Sequence, residues 1–374
     1  MAINRQYIRS LVLALVALVN TASGQMISGR PNTTSSGFVY TNWELKQSNG
    51  QQTSLGQFWL PVSGFVALQE NFEARYYWAG STNNFEANKA KSYLDGIGDF
   101  RIEVTRSVAD NQFFVSGNVS FPTGKRELVY NKDRAIVELL SENYLNFPMR
   151  RFGEGLGFGG TVGFSQTWGK SAVGLGVSFD IIGKYKPYKN AGDYNPGEVM
   201  TVELGISTRG DKSALSTSIN YLEYTTDQYN GKRIFRQGQQ VGFAATALYD
   251  NNTYRINPTL RYTNRGRNTR YQTNTETIRD RIKLYGNEFE AGIEIGRHIR
   301  GNWLFSPLVS ILLIQSNEVS FGDSKVLTLG GSISKKLTDK INLGSWFKAM
   351  TGDADDSRID LKGYQVSASI TAVI

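Results

Sequence analysis

The sequence predicts an all-β chain closed into an antiparallel transmembrane β-barrel of about 14–16 strands, with short periplasmic turns and long extracellular loops. Three observations carry this. Apolar and polar residues alternate with a period of two over long stretches. Short turns alternate with longer polar loops. No apolar run after Gly24 reaches the roughly 18 residues that a membrane helix needs. Backbone amides cannot face lipid unpaired, so a chain that enters a membrane without such helices must close its strands on themselves.

Composition agrees. The 374 residues include 39 Gly, 20 Phe and 19 Tyr but only 8 Pro, a mixture suited to strands and tight turns. Cysteine is absent, which excludes disulfides, thiol chemistry and Cys-ligated zinc. The formal charge of +8 is spread along the chain without a nucleic-acid-binding motif, so no nucleic acid is expected as a partner. Outer-membrane lipid with an anionic surface accounts for the excess equally well.

The first element is a secretory signal peptide over residues 1–24. Arg5 and Arg9 precede the apolar run from Leu11 to Val19, and Ala22-Ser23-Gly24 supplies small residues for cleavage. Residues 25–36 read as a short periplasmic tail, and 37–374 as the barrel.

Val39, Thr41, Trp43 and Leu45 begin the apolar parity, and Ser48-Asn49-Gly50 turns the chain. Phe58, Leu60, Val62 and Val66 continue it, then Phe72, Ala74, Tyr76 and Trp78 opposite Glu73, Arg75 and Tyr77. A polar connection containing Lys89, Lys91 and Asp95 leads to Phe100, Ile102 and Val104, opposite Arg101 and Glu103. The alternation is clearest between Asn111 and Gly183. There Phe113, Val115 and Phe121, then Phe158, Val162 and Phe164, then Leu175, Val177 and Phe179 stand opposite Gly, Ser, Thr and Asp180. Met200 to Ile206, Leu215 to Tyr221, Val241 to Tyr249, Tyr254 to Tyr262 and Phe289 to Ile295 repeat it, as do Trp303 to Leu313, Leu327 to Ile333, Ile341 to Ala349 and Tyr364 to Ile374.

Short turns fall around Asp110, Gly169, Gly210, Asn251, Gly301 and Asp339, and longer loops around Lys91, Asn131, Asn190, Asn230, Arg270, Asp323 and Asp355. A soluble β-sandwich would also alternate. Against it, the apolar parity is almost free of charge, and aromatics collect at its ends. Trp168, Tyr249, Tyr254 and Trp303 lie by short turns, with Trp78, Tyr221 and Tyr262 toward the long loops, as in two interfacial girdles.

With lipid outside, the other parity lines a lumen. Arg75, Arg101, Glu103, Asp180, Glu203, Arg255, Arg261, Glu290 and Glu294 are its permeation candidates, with cross-strand ion pairing as the structural alternative. The loop from Pro122 to Gly155 carries a second set. Ile136, Leu139, Leu140, Tyr144 and Leu145 fall near helical spacing between Asp133 and Phe147, an amphipathic segment that, with Phe147, constricts the lumen, forms a landing surface for hydrophobic ligands, or packs against the barrel rim. Met149-Arg150-Arg151 closes this loop and could meet lipid phosphates.

No metal, cofactor or enzyme activity is expected. Asp353, Asp355 and Asp356 lack the spacing of a calcium loop. The single histidine, His298, adjoins a short turn without a serine motif. The basic loop with Arg265, Arg267, Arg270, Arg279, Arg281 and Lys283 suggests contact with anionic surface glycolipid.

Four short motifs resemble a known family: Gly96-Ile97-Gly98-Asp99-Phe100, Ser120-Phe121-Pro122-Thr123-Gly124-Lys125, Phe152-Gly153-Glu154-Gly155-Leu156 and Tyr194-Asn195-Pro196-Gly197-Glu198. They look like outer-membrane proteins grouped with the meta pathway of phenol degradation, which are similar in turn to FadL-type transporters. The resemblance covers Gly96 to Leu204 best. It implies a channel for passive uptake of small hydrophobic or aromatic molecules, delivered to the outer membrane by the barrel assembly machinery. Two departures stand out: residues 25–36 are short for the N-terminal plug of the fatty-acid transporters, and Ile374 replaces the usual terminal aromatic. A general porin for polar solutes, or a surface-binding barrel without transport, is the alternative that the mixed-charge wall leaves open.

Overall fold

The computed structural model describes residues 32–88, 90–109, 112–272, 275–299 and 302–373. The signal peptide, most of the tail, the turn residues Asp110 and Gly301, Lys89 and the terminal Ile374 lie outside the described residues. Strands dominate: β1 (Thr33–Gln47), β2 (Gln52–Gln69), β3 (Phe72–Ala87), β4 (Ala90–Ile97), β5 (Phe100–Val108), β6 (Phe113–Phe121), β7 (Gly157–Trp168), β8 (Ser171–Ile182), β9 (Tyr194–Asn195), β10 (Val199–Arg209) and β11 (Ser213–Tyr224). There follow β12 (Thr226–Tyr229), β13 (Lys232–Arg236), β14 (Gln240–Asp250), β15 (Tyr254–Arg265), β16 (Asn268–Tyr271), β17 (Ile278–Ile282), β18 (Glu288–Ile299), β19 (Trp303–Ile314), β20 (Ser324–Thr338), β21 (Ile341–Ala354) and β22 (Ile359–Val373).

Each wall strand pairs antiparallel with its neighbours, and β1 pairs with β22 from Thr33↔Val373 to Gln47↔Ile359, closing the barrel. Because β4 and β5 share the partner β3 and form one crossing, the wall has 16 strands. The wall starts at Thr33, slightly ahead of residue 37.

Register keeps one parity inward. Arg75, Glu103, Asn118, Gly159 and Asp180 are successive partners in one inner row. The opposite parity forms an apolar outer surface that includes Phe113, Val115, Val162, Leu175, Leu204, Ile219, Leu260, Ile295, Leu329 and Phe347, all exposed. Such a belt on a closed sheet with short turns at one end and long loops at the other belongs in a bacterial outer membrane. Trp78, expected toward the long loops, lies instead in the periplasmic half of β3.

Two expectations from the pattern need correction. The parity of Val39, Thr41, Trp43 and Leu45 faces inward and is buried, while Phe38 is exposed on the outside, stacked on Phe58 at 5.6 Å. Apolar residues point inward here because something apolar fills that part of the barrel. The connection around Lys91 and Asp95 is not a loop: β3 runs on to Ala87 and β4 returns along it. Between β4 and β5 the register slips by one residue, from Gly80↔Ile97 to Tyr77↔Arg101. Gly98 and Asp99 therefore form a bulge, and the inward parity changes from even in β4 to odd in β5.

Beyond the wall, β9, β12, β13, β16 and β17 pair into a second sheet of 5 strands on the extracellular side. The loops around Asn190, Asn230 and Arg270 are thus joined to one another. No helix among the described residues is long and apolar enough to cross a membrane.

Candidate functional site: a plugged mouth and a charged lumen

The loop after β6 enters the barrel. Its helix α1 (Tyr130–Ser141) starts where the Asp133 carboxylate accepts the Val129 N–H at 2.7 Å, and a 3-10 turn spans Asn143–Leu145. The spacing of Ile136 and Leu140 puts both on one helix face, and both are 0% exposed. With Tyr144, Leu145, Phe147, Met149 and Phe152 they form one core with Trp43 and Leu45 on β1, Leu55 on β2, Leu94 on β4, Val326 on β20 and Leu361 on β22. Leu139 packs on this core partly buried. Of the placements expected for the segment, the structure shows it folded inward and not packed on the rim.

Burying side chains of this size stabilises by roughly 1.5–3 kcal/mol each, so the loop is a firmly seated plug. Polar anchors fix its orientation. Trp43 Nε1 donates to the Leu145 carbonyl at 2.8 Å. The Gln57 side chain donates to the Met149 carbonyl at 2.7 Å and accepts its N–H at 3.0 Å. Tyr144 stacks on Phe321 with ring centroids 5.8 Å apart, and burial raises its phenol pKa.

Both stems of the plug meet at the bulge. Asp99 accepts the N–H of Gly124, just after β6, at 2.8 Å, and that of Glu154, just before β7, at 2.6 Å. Phe100 N–H donates to Thr123 Oγ1 at 2.9 Å, and Lys125 N–H to the Ile97 carbonyl at 3.1 Å. The stems touch as glycines must: a Cβ on Gly124 would lie 2.7 Å from Gly153 Cα, and one on Gly96 2.6 Å from the Phe152 ring. Three of the four motifs read in the sequence thus assemble into one knot. In the fourth, the Tyr194 hydroxyl and the Gly197 N–H both donate to Asp227, at 2.6 and 2.7 Å.

The bulge has a second effect. β5 pairs with β6, but β4 gains no strand on that side, so pairing lapses above Phe100↔Phe121. On the outer face beside the lapse is a mainly apolar cleft of about 540 Å³, lined by Phe58, Leu60, Gly80, Ile97 and Thr123 among others.

No protein-family model matches the chain, and no curated protein matches it in sequence. Solved barrels resemble it in shape. A deletion variant of the monoaromatic hydrocarbon channel TodX shares 8% identity over 92% of this chain and 91% of its own, with a TM-score of 0.47. A FadL homologue from Pseudomonas aeruginosa shares 9% over 92% and 90%, with a TM-score of 0.46. OmpF from Salmonella typhi, in complex with daunomycin, shares 12% over 91% and 97%, with a TM-score of 0.41. Likenesses at this level leave the permeant to be argued from the chain's own residues.

Those residues divide the lumen into sectors. From β6 to β14 most inward positions are small or polar, such as Ser116, Asn118, Gly159, Thr161, Gly176, Ser178, Asn220 and Ala244, with Phe114 lying over Gly163 as an exception. Gly159 leaves space that Asp180 uses: a Cβ there would lie 2.2 Å from its Oδ1, which accepts from Asn118 at 3.2 Å and Arg101 at 3.4 Å. Arg75 pairs with Glu73 at 2.9 Å and Arg261 with Glu290 at 3.3 Å, while Glu294 accepts from Ser332 at 3.0 Å. Glu103, Glu203 and Arg255 also point inward, without an ion pair among the described residues. The candidates therefore do not converge on one point.

The structure adds members that the pattern did not single out. Arg150, thought free to meet lipid phosphate, instead faces a cavity of about 120 Å³ between the plug and β15, β18 and β19, with Asn143, Arg261, Arg265, Glu288 and Glu290. Arg265 pairs with Glu288 at 2.8 Å. Arg151 turns the other way, to Glu154 at 2.7 Å, beside Tyr185 and Tyr194, whose pKa values burial pushes up.

The features set aside in the sequence have structural uses. Asp355 and Asp356 accept the N–H groups of Gly322 and Asp323 at 2.7 and 2.9 Å, and no cluster fit to hold a metal occurs among the described residues. His298 lies 3.2 Å from Asp250 at the periplasmic end. In the basic loop, Arg270 makes a two-pronged pair with Asp280 at 2.7 and 2.8 Å, and Arg267 bonds Glu318 at 2.5 Å.

Proposed function

We propose that the protein is a channel for passive uptake of small hydrophobic or aromatic molecules across the outer membrane. The observation that carries this is the coupling of an apolar plug in the mouth to a lapse in the wall, where the apolar cleft opens. A plug whose core includes Trp43, Ile136, Leu140 and Phe147 obstructs the wide aqueous bore that a general porin needs. A solute with little charge finds apolar surface at the cleft, and Asp99 ties the plug stems to that same place. Asp180, Glu203, Arg255, Glu294 and the other inward charges serve as a polar lining of the lumen, with the paired ones stiffening the wall.

The test is influx of an aromatic solute into liposomes. Reconstituted protein should speed uptake of toluene or benzyl alcohol well above that of empty vesicles, and equal rates overturn the reading. The small, polar sector from β6 to β14 favours a second reading, a porin for polar solutes. Planar-bilayer recording separates the two: a porin gives a stable, large open conductance, whereas a plugged channel gives little. Transport, rather than catalysis, is the role assigned to every site residue.

A further inference from the structure

We infer that the cavity between the plug and the β15–β18 wall is an anion-selecting station, in which Arg150 receives the carboxylate of a small aromatic acid. This deepens the uptake reading and rests on it. The plug packs through apolar side chains against β1, β2, β4, β20 and β22, at Trp43, Leu55, Leu94, Val326 and Leu361. Toward β15 and β18 the packing changes to a polar gap of about 120 Å³.

The charges in the gap do not cancel. Two guanidinium groups have carboxylate partners, Arg265 with Glu288 at 2.8 Å and Arg261 with Glu290 at 3.3 Å. Arg150 makes no ion pair among the described residues. Its donors go to neutral oxygens: Asn143 Oδ1 at 2.7 Å, Asn146 Oδ1 at 3.3 Å and the Phe147 carbonyl at 3.4 Å. Asn143 passes its own amide N–H on to Glu288 at 2.6 Å, which fixes the amide so that its oxygen faces Arg150. Arg265, also on the cavity, keeps a buried Nε–H without a partner among the described residues. Three cations against two anions, with an orphaned donor, make a place that a carboxylate completes, since charge-assisted bonds to guanidinium are the strong ones. Leu312 supplies apolar surface at the same wall for the ring.

The experiment uses the full chain in liposomes and planar bilayers, with benzoate and benzyl alcohol as probes. In wild type, benzoate should enter faster than its charge alone allows, and a KCl gradient should give a reversal potential favouring chloride. Arg150→Gln should lower the benzoate-to-benzyl-alcohol influx ratio about tenfold, the factor that about 1.4 kcal/mol corresponds to. Arg150→Lys should restore most of the chloride preference. Lys132→Gln, which removes the same charge from an exposed position of α1, should change neither. Protection of the plug from protease shows whether each variant keeps it seated. If Arg150→Gln unseats it, the wild-type reversal potential decides, and a cation preference or none overturns the station. An unchanged influx ratio with a seated plug also overturns it. If benzyl alcohol enters readily and benzoate does not, the station fails while the uptake reading stands. If neither probe enters, the station and the uptake reading fail together.

Discussion

Asp99 receives the Glu154 backbone N–H at 2.6 Å, the shorter of the two bonds by which one carboxylate holds both ends of a loop that packs inside the barrel. Bonds to a charged acceptor contribute about 1.5–3 kcal/mol each. Asp99→Ala loses both, whereas Asp99→Asn keeps one acceptor oxygen. Protease cleavage within residues 122–156 should therefore be faster in both variants than in wild type and fastest in Asp99→Ala, with single-channel conductance rising in the same order. Identical cleavage in all three would show that Asp99 does not hold the plug.

Gly124→Ala acts on the same knot from the opposite direction. Its Cβ would meet Gly153 Cα at 2.7 Å, a backbone atom that cannot rotate aside. The stems must part, so plug protection should fall about as far as in Asp99→Ala while the barrel, read by its β-sheet circular dichroism, stays intact. Gly117→Ala on β6, where a Cβ meets nothing within 4 Å, is the matched control and should behave as wild type.

Trp43 anchors the plug by both burial and a hydrogen bond. Trp43→Phe removes the Nε1–H bond to Leu145 along with part of the ring and should cost about 1–3 kcal/mol, whereas Trp43→Ala empties the site and should cost about 3–5 kcal/mol. Hydrogen exchange at α1 amides reads the difference, provided the barrel itself stays closed.

Glu142 links α1 to the 3-10 turn, and burial, helped by Glu138, raises its carboxyl pKa. The folded plug therefore holds this proton more tightly than the unfolded loop does. Seating is favoured as pH falls through the raised folded value and weakened as pH climbs above it. Glu142→Gln removes the charged form, so its plug should be better protected than wild type at pH 7, and the two should converge at low pH. A variant less protected at pH 7 would contradict this sign.

Where one face met lipid and the other small polar residues, the alternation was readable. β6, β7 and β8 follow it residue by residue, with Phe113, Phe164 and Leu175 outside and Asp180 inside. It misled on β1 because the apolar parity there serves the plug and not lipid: Trp43 and Leu45 face inward, with Asn42, Glu44 and Lys46 on the outer parity, so the greasy side of the strand looked lipid-facing. It also missed β4. Lys91 and Asp95 on its outer parity look like loop residues, and the one-residue bulge at Gly98 and Asp99 erases the period on which the pattern depends. The plug helix showed in its spacing, but its seat did not, since periodicity reports a face and not what lies against it. Asp99 sat inside a recognisable motif, yet its role depends on two glycine stems that only the folded chain brings together. Arg150 carried no signal beyond a basic pair at the end of a loop, and its partners Asn143, Arg265 and Glu288 come from separate elements.

Trp43 and Leu361 lie on β1 and β22, neighbours across the seam that makes the sheet continuous, and Gly363 is bare where a Cβ would sit 2.6 Å from the Trp43 ring. The two strands that close the barrel thus form part of the plug's seat. Until they meet, Ile136 and Leu145 have an incomplete home. Biogenesis therefore has a built-in order: the stopper finishes docking only when the wall is whole, and a barrel left unzipped at β1 and β22 is also left uncorked.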